Sequence, residues 1–173
     1  MLIDEFLPEY DFEEMHAVRV KADASKVLRV ANEIDFGESW IVSWLLWLRG
    51  LPAENVTLRK LHESRFEKLG EIPDRELVLG LVGKFWMPDG ELKKVDAAGF
   101  KKFHEAGFAK AVWNFAVVEN HDRTLVTTET RIKCLDEESR WRFGFYWIFI
   151  RPFSGLIRTE MLRLIKQRAE GVG

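Results

Sequence analysis

The sequence predicts an α+β domain: an antiparallel β-sheet covered by one long C-terminal helix, with helices inserted after the first strand. Three observations predict this class. An early stretch, residues 12–22, contains the β-branched Val18 and Val20 while its acidic residues thin out, and residues 109–134 alternate between polar and apolar types. From residue 137 to about 170, apolar side chains recur at helical spacing. A sheet and a helix that each have an apolar face bury those faces against each other, which gives two packed layers.

Length and composition predict one domain over residues 1–173. A chain of 173 residues is below the size at which hydrophobic cores usually split. Hydrophobic residues make up 47% of it and charged residues 31%, which excludes an intrinsically disordered chain. The net charge of -2 gives no reason to expect a nucleic-acid partner.

The first third of the chain predicts one strand and at least two helices. The strand over 12–22 is followed by Asp23, whose carboxylate can accept a hydrogen bond from a free amide in the first turn of a helix over 24–32. A second helix is predicted from about 38 to 51, where Pro52 disfavours its continuation.

The middle of the chain predicts most of the sheet. A strand over 75–85 contains Gly80 and Gly83, which predict a bulge or a close contact. The clearest pattern is a β-hairpin, 109–117 and 125–134, expected to have one packed face and one solvated face. The other elements predicted here are a short helix within 55–65, a strand near 66–69, a turn at 87–90, a short helix or loop at 97–106 and a hairpin turn at 120–123.

The last third predicts one helix. Asp136 supplies the cap, and Glu137 and Glu138 make the first turn acidic, which suits the positive end of a helix dipole. Pro152 lacks an amide hydrogen, so we expect a kink or a brief break there.

Four segments carry a resemblance to a known superfamily: EMHAVRVKADA at 14–24, LRGLP at 48–52, TETRI at 128–132 and FYWIFIRPFSGLIR at 145–158. Together with the order of elements, they resemble the START-like or Bet v 1-like helix-grip superfamily (SRPBCC), and in particular its uncharacterised bacterial members. The resemblance implies a curved sheet that grips the C-terminal helix. It also implies a cavity between the two for a lipid-, polyketide- or aromatic-like ligand.

Aromatic side chains are the expected walls of such a cavity. The chain has 13 Phe, 7 Trp and 2 Tyr, more bulk than a simple two-layer core needs. Trp113 and Phe115 on the sheet, and Trp141, Phe145 and Phe149 on the helix, are predicted to line it. The alternative is that these aromatic residues fill the space as a solid core.

His16 is the candidate for acid–base chemistry. It alternates with β-branched residues on the first strand, so burial can move its pKa across neutrality and let it exchange a proton or hold a ligand carbonyl. The alternative is a hydrogen-bonded structural histidine. The strand alternation places Thr128 and Thr130 inward as further polar groups, and Glu129 and Arg131 outward in solvent.

Other chemistries have no support in the sequence. Cys134 is the one cysteine, so neither an internal disulfide nor a cysteine metal site is possible, and the four histidines lack metal-binding spacing. We therefore expect no metal and no cofactor. The acidic N-terminus does not have the basic start of a secretory signal, and no apolar run reaches the roughly 18 residues of a membrane span, which predicts a cytoplasmic protein.

Three functions remain, and the leading one is binding or carrying a small hydrophobic molecule. The second is a cyclase- or dehydratase-type enzyme that uses His16 with Thr128 or Thr130. The third is a membrane-surface or assembly protein, using a tryptophan stripe (Trp40, Trp44, Trp47) and a basic stretch over 140–168. The basic stretch has seven Arg or Lys against Glu160 alone. Oligomeric state is left open.

Overall fold

The computed structural model of the chain describes residues 1–35, 39, 66–120 and 123–171. The helix predicted over 38–51, the short helix within 55–65 and the tryptophan stripe lie outside the described residues. The helices are α1 (Ile3–Phe6), α2 (Ala24–Glu33), α3 (Ala97–Lys102) and α4 (Glu137–Glu170). The strands are β1 (Phe12–Val20), β2 (Glu67–Ile72), β3 (Glu76–Gly83), β4 (Ala109–Asn120) and β5 (Arg123–Cys134).

The five strands form one antiparallel sheet in the order β1-β5-β4-β3-β2. The predicted hairpin is confirmed, and its last pair is Asn120 with Arg123. β1 returns to the other side of β5, where His16 is paired with Thr128. The predicted α+β class is confirmed, and the sheet with its long C-terminal helix is consistent with a helix-grip fold.

A glycine allows the close contact predicted in β3. A Cβ atom on Gly80 would lie 2.5 Å from Cδ1 of Leu69, so a side chain there would displace that leucine. On the facing strand the register shifts between Lys68 and Gly70, which leaves Leu69 as the extra residue of a bulge.

α2 and α4 cover one face of the sheet and form the larger core with it. The predicted cap of α2 is confirmed, because the Asp23 carboxylate accepts a hydrogen bond from the Lys26 amide at 2.7 Å. The buried side chains of this core include Val20, Val27, Leu79, Trp113, Phe115, Val117, Val126, Met161, Leu162 and Ile165.

The opposite face of the sheet is also covered, so the expected solvated face is wrong. Ile3 and Phe6 of α1 and Phe100 of α3 pack there against Val78 and Val112. These apolar residues of α1 lie within an acidic segment, and they cover the part of the second face around Val78 and Val112.

Glu129 and Arg131 therefore lie on the predicted face of the sheet, but they are buried there, and the predicted exposure to solvent is wrong. They are only 2% and 8% exposed. Arg131 donates hydrogen bonds to Glu129, to Asp4 and to the carbonyl of Leu7. Burial of these charges is tolerated because each carboxylate or guanidinium has a partner of opposite charge.

α4 has the predicted bounds and the predicted cap. The Asp136 carboxylate accepts a hydrogen bond from the Ser139 amide at 2.9 Å. The helix continues through Pro152, so the predicted break at this residue is wrong. A proline removes one helical hydrogen bond, and packing of a 34-residue helix against the sheet outweighs that loss.

Candidate functional site

A cavity of about 170 Å³ lies between the sheet and α4. Its sheet side includes Trp113 and Thr130, and its helix side includes Trp147 and Arg158. The other lining residues are Phe66, Leu81, Phe85, Ala111, Val112, Ile132, Phe143, Tyr146, Ile150 and Ser154.

The cavity continues into a groove of about 470 Å³. The two share Phe66, Leu81, Phe85, Tyr146 and Ile150. The far part of the groove includes side chains that are partly exposed, among them Met87 and Leu92. The cavity is therefore reached along this groove.

Aromatic side chains fill one end of the space between sheet and helix. Phe143 is almost fully buried, and its ring is stacked on that of Trp147 with centroids 5.6 Å apart. Phe12 and Tyr146 are also in ring contact with it, at 5.0 and 5.8 Å. The cluster forms a wall of the cavity while adding to the core.

Arg158 forms the polar end of the cavity. Its Nη1 donates a hydrogen bond to Thr128 Oγ1 at 3.0 Å, and its Nη2 donates to Thr130 Oγ1. The guanidinium carbon is 5.2 Å from the centroid of a Trp113 ring, within range of a cation–π contact. Burial lowers the pKa of Arg158 to about 10, against the opposing effect of the Glu14 carboxylate. The group is therefore still a cation at neutral pH.

The two predicted threonines have different capacities. Thr128 Oγ1 accepts from Arg158 and from Trp113 Nε1, and it donates to the Asn114 carbonyl at 3.0 Å. A hydroxyl has one donor and two acceptor positions, so Thr128 has none left. Thr130 lines the cavity and, within the part of the chain that is described, has only the bond from Arg158. Of the two threonines, Thr130 is therefore the one that can hydrogen-bond to a ligand.

His16 is near the same carboxylate as Arg158, that of Glu14, but it is not among the residues that line the cavity. Its Nε2 is 3.4 Å from Glu14 Oε1, and Glu14 Oε2 is 3.9 Å from Arg158 Nε. Among the described residues, His16 Nε2, Glu14 Oε2 and Arg158 Nε have no hydrogen-bond partner. A Cβ atom on Gly155 would lie 2.8 Å from Glu14 Oε1, so the missing side chain makes room for this carboxylate.

The other predicted wall residues have mixed outcomes. Trp113 lines the cavity, whereas Phe115 is buried in the core beside it. Trp141, Phe145 and Phe149 are 74%, 62% and 60% exposed, so their predicted placement between sheet and helix is wrong. The first half of α4 is apolar around most of its circumference, and side-chain spacing alone does not tell which side meets the sheet.

Arg158 is a site residue that the sequence pattern did not single out, because it falls within the basic stretch. A usable pattern was present. Trp147, Ser154 and Arg158 are seven and four residues apart, which places all three on one side of a helix. An arginine on the side of α4 that also includes Phe143 is a charge directed toward the core.

Other chemistries have no geometric basis in the described part of the chain. Within it, no three His, Cys, Asp or Glu residues are grouped closely enough to hold a metal ion. Burial raises the pKa of Cys134 to about 12, which disfavours the reactive thiolate. Of the helices within the described ranges, none combines the length and the apolar character needed to cross a membrane.

No family model matches the chain, and no curated protein matches it either. Solved structures that are similar to it include the following three. TTHA0849 from Thermus thermophilus has a TM-score of 0.39 and 9% identity, over 94% of this chain and 99% of that one. Hypothetical protein jhp0584 from Helicobacter pylori has a TM-score of 0.43 and 11% identity, over 96% and 93%.

CalU16 from Micromonospora echinospora has a TM-score of 0.33 and 14% identity, over 92% of this chain and 84% of that one. All three TM-scores are below 0.5, so these likenesses carry no argument about function. The case for a site rests on the geometry around Arg158.

Proposed function

We propose that this protein binds a small, mainly apolar molecule that has one hydrogen-bond acceptor, such as a carbonyl or hydroxyl oxygen. The observation that carries the proposal is a charged Arg158, whose side chain is only 13% exposed, at one end of an aromatic-lined cavity. A guanidinium has five N–H donors. Among the described residues, Thr128 and Thr130 accept two of them. The remaining donors favour a ligand with an acceptor at this end.

The volume sets the size of the ligand. A dry cavity of about 150 Å³ accommodates benzene in other proteins, so 170 Å³ takes one ring with a few further atoms. The groove of about 470 Å³ has room for a second ring or a short chain. Both volumes together fall in the range of about 300–1,000 Å³ that is typical of small-molecule sites.

The neighbouring charge favours a neutral acceptor over an anion. The Glu14 carboxylate is 3.9 Å from Arg158 Nε and already balances the guanidinium. A ligand carboxylate would add a second negative charge near Glu14, whereas a ketone or phenol would not. The ligand class that fits best is therefore an aromatic or polyketide-like molecule.

A matched pair of probes tests this proposal. Equilibrium dialysis compares 2-naphthol, which has one hydroxyl, with naphthalene, which has none. A hydrogen bond to a charged group contributes about 1.5–3 kcal/mol, so the wild type should bind 2-naphthol about 10–100-fold more tightly. Arg158→Met should abolish this preference, while Arg151→Met, an exposed position on the same helix, should keep it.

Equal binding of the two probes by the wild type would refute the role of Arg158. No binding of either would refute the cavity as a ligand site. Native mass spectrometry of gently purified protein, followed by organic extraction, then identifies any ligand that is already bound.

A further inference from the structure

One side of α4 is apolar and faces away from the described part of the fold. It consists of Trp141, Phe145, Ile148, Phe149, Phe153 and Leu156, and we call it the α4 outer face. Each of these side chains is at least 37% exposed. At 100° per residue they fall along one side of the helix over a length of roughly 22 Å.

This outer face is larger than packing among the described residues explains. The core is made by the opposite side of α4, including Phe143, Met161 and Ile165. Because an aromatic side chain presents 150–250 Å² in full, the four aromatic residues alone leave roughly 350–600 Å² exposed. The four rings alone thus equal the largest apolar patch of an ordinary monomeric protein, and such patches are often functional.

The charges around the outer face indicate what it contacts. Residues 139–159 contain four arginines and no acidic residue. Arg140, Arg142 and Arg151 of this stretch are exposed beside the apolar side chains. Arg140 and Arg142 are near Asp11 and Glu138, whereas Arg151 has no ion-pair partner within the described residues. Aromatic side chains flanked by arginines are complementary to a bilayer that has anionic head groups.

A second copy of the chain fits this face less well. Two outer faces packed against each other would bring their arginines together, and residues 139–159 supply no carboxylate to pair with them. Like charges at such a contact oppose association. A bilayer surface presents apolar chains and anionic groups at the same time, so it satisfies both features.

We propose that the α4 outer face docks α4 flat on an anionic membrane surface. The inference is independent of the proposed ligand, because it depends on the exposed side of α4 alone. It has one consequence for the cavity. Phe149 and Phe153 are close on the helix surface to Tyr146 and Ile150, which line the groove. Docking would therefore bring the groove next to the lipid.

Vesicle co-sedimentation tests the proposal. The wild type should sediment with phosphatidylcholine vesicles that contain about one quarter phosphatidylglycerol, and more weakly with phosphatidylcholine alone. Phe145→Ser with Phe149→Ser should lower the partition coefficient at least tenfold, since two exposed phenyl rings no longer enter the bilayer. The matched control is Met15→Ser with Val118→Ser, two apolar positions on the sheet that are each 51% exposed.

Arg151→Ser separates the charge effect from the apolar one. It should lower binding to the anionic vesicles about fivefold and leave binding to neutral vesicles unchanged. Thermal melting of each variant, expected to match the wild type because the positions are exposed, shows that the fold is intact.

Three results would overturn membrane docking. These are a wild type that does not sediment with the anionic vesicles, a Phe145/Phe149 variant that binds as well as the control, and an Arg151 variant with an unchanged preference. If vesicle binding is absent and light scattering finds a dimer that the Phe145/Phe149 variant lacks, the occupant of the face is a second copy.

Discussion

Replacing Arg158 with methionine should destabilise the protein by about 3–5 kcal/mol, the usual result of breaking a buried ion pair from one side. Methionine keeps much of the length and apolar volume but makes no hydrogen bond. The variant loses the bonds to Thr128 and Thr130 and the contact with Trp113. It also leaves the Glu14 carboxylate buried without its cation.

One contribution opposes this loss. Burial lowers the pKa of Arg158 from 12.5 to about 10, which corresponds to a cost of about 3 kcal/mol for keeping the guanidinium charged in the folded protein. Methionine removes that cost. The net effect is still destabilising because the hydrogen bonds to a charged donor and the unpaired Glu14 together exceed it.

The assay is a double-mutant cycle in urea. Tryptophan fluorescence follows unfolding of the wild type, Arg158→Met, Glu14→Gln and the double variant. Glutamine in place of Glu14 removes the unpaired charge, so the double variant should be more stable than Arg158→Met by about 1–3 kcal/mol. A cost of less than about 1 kcal/mol for Arg158→Met, or a further loss of stability when Glu14→Gln is added to that variant, would refute the role of the ion pair.

Three further predictions follow from single contacts. Because burial holds the pKa of Cys134 near 12, iodoacetamide at pH 8 should label the native protein at least a thousandfold more slowly than the urea-unfolded chain. Rapid native labelling would contradict this. Hydrogen bonds from Ser139 lower the pKa of Asp136 below its ordinary value of 3.8, so its stabilising effect is present above that value and is lost as the pH falls through the lowered pKa. Asp136→Ala should therefore cost about 1–2 kcal/mol in urea unfolding at neutral pH and less in acid, whereas an equal cost at both would refute the charge effect. Gly80→Ala should cost about 1–3 kcal/mol in the same assay, because its Cβ meets Leu69, and an unchanged stability would show that Leu69 moves freely.

Features that depend on neighbouring residues were predictable from the sequence. Each of the caps Asp23 and Asp136 accepts a hydrogen bond from the backbone amide three residues further along the chain. The hairpin of β4 and β5 has regular alternation along both strands, and pairing in register preserves it. Such local rules act within a few residues, so no knowledge of the remaining fold is needed.

Features that depend on distant residues were not predictable. The burial of Glu129 and Arg131 depends on α1, which is more than 120 residues away and supplies Asp4 as a partner. An alternating strand has the same pattern whether its second face meets water or another part of the chain. The buried position of Arg158 depends on Thr128, Thr130 and Trp113, which only the folded sheet brings to it.

α4 shows why helical spacing does not identify the side of the helix that packs on the sheet. A helix that meets one core has apolar residues on one side and polar residues on the other. The first half of α4 has Phe143 and Trp147 on the sheet side and Trp141, Phe145 and Phe149 on the outer side, so it has no single apolar face. A sheet buries only one side of a helix. The second apolar side therefore calls for a contact outside the described fold, and its vesicle test decides whether that contact is lipid.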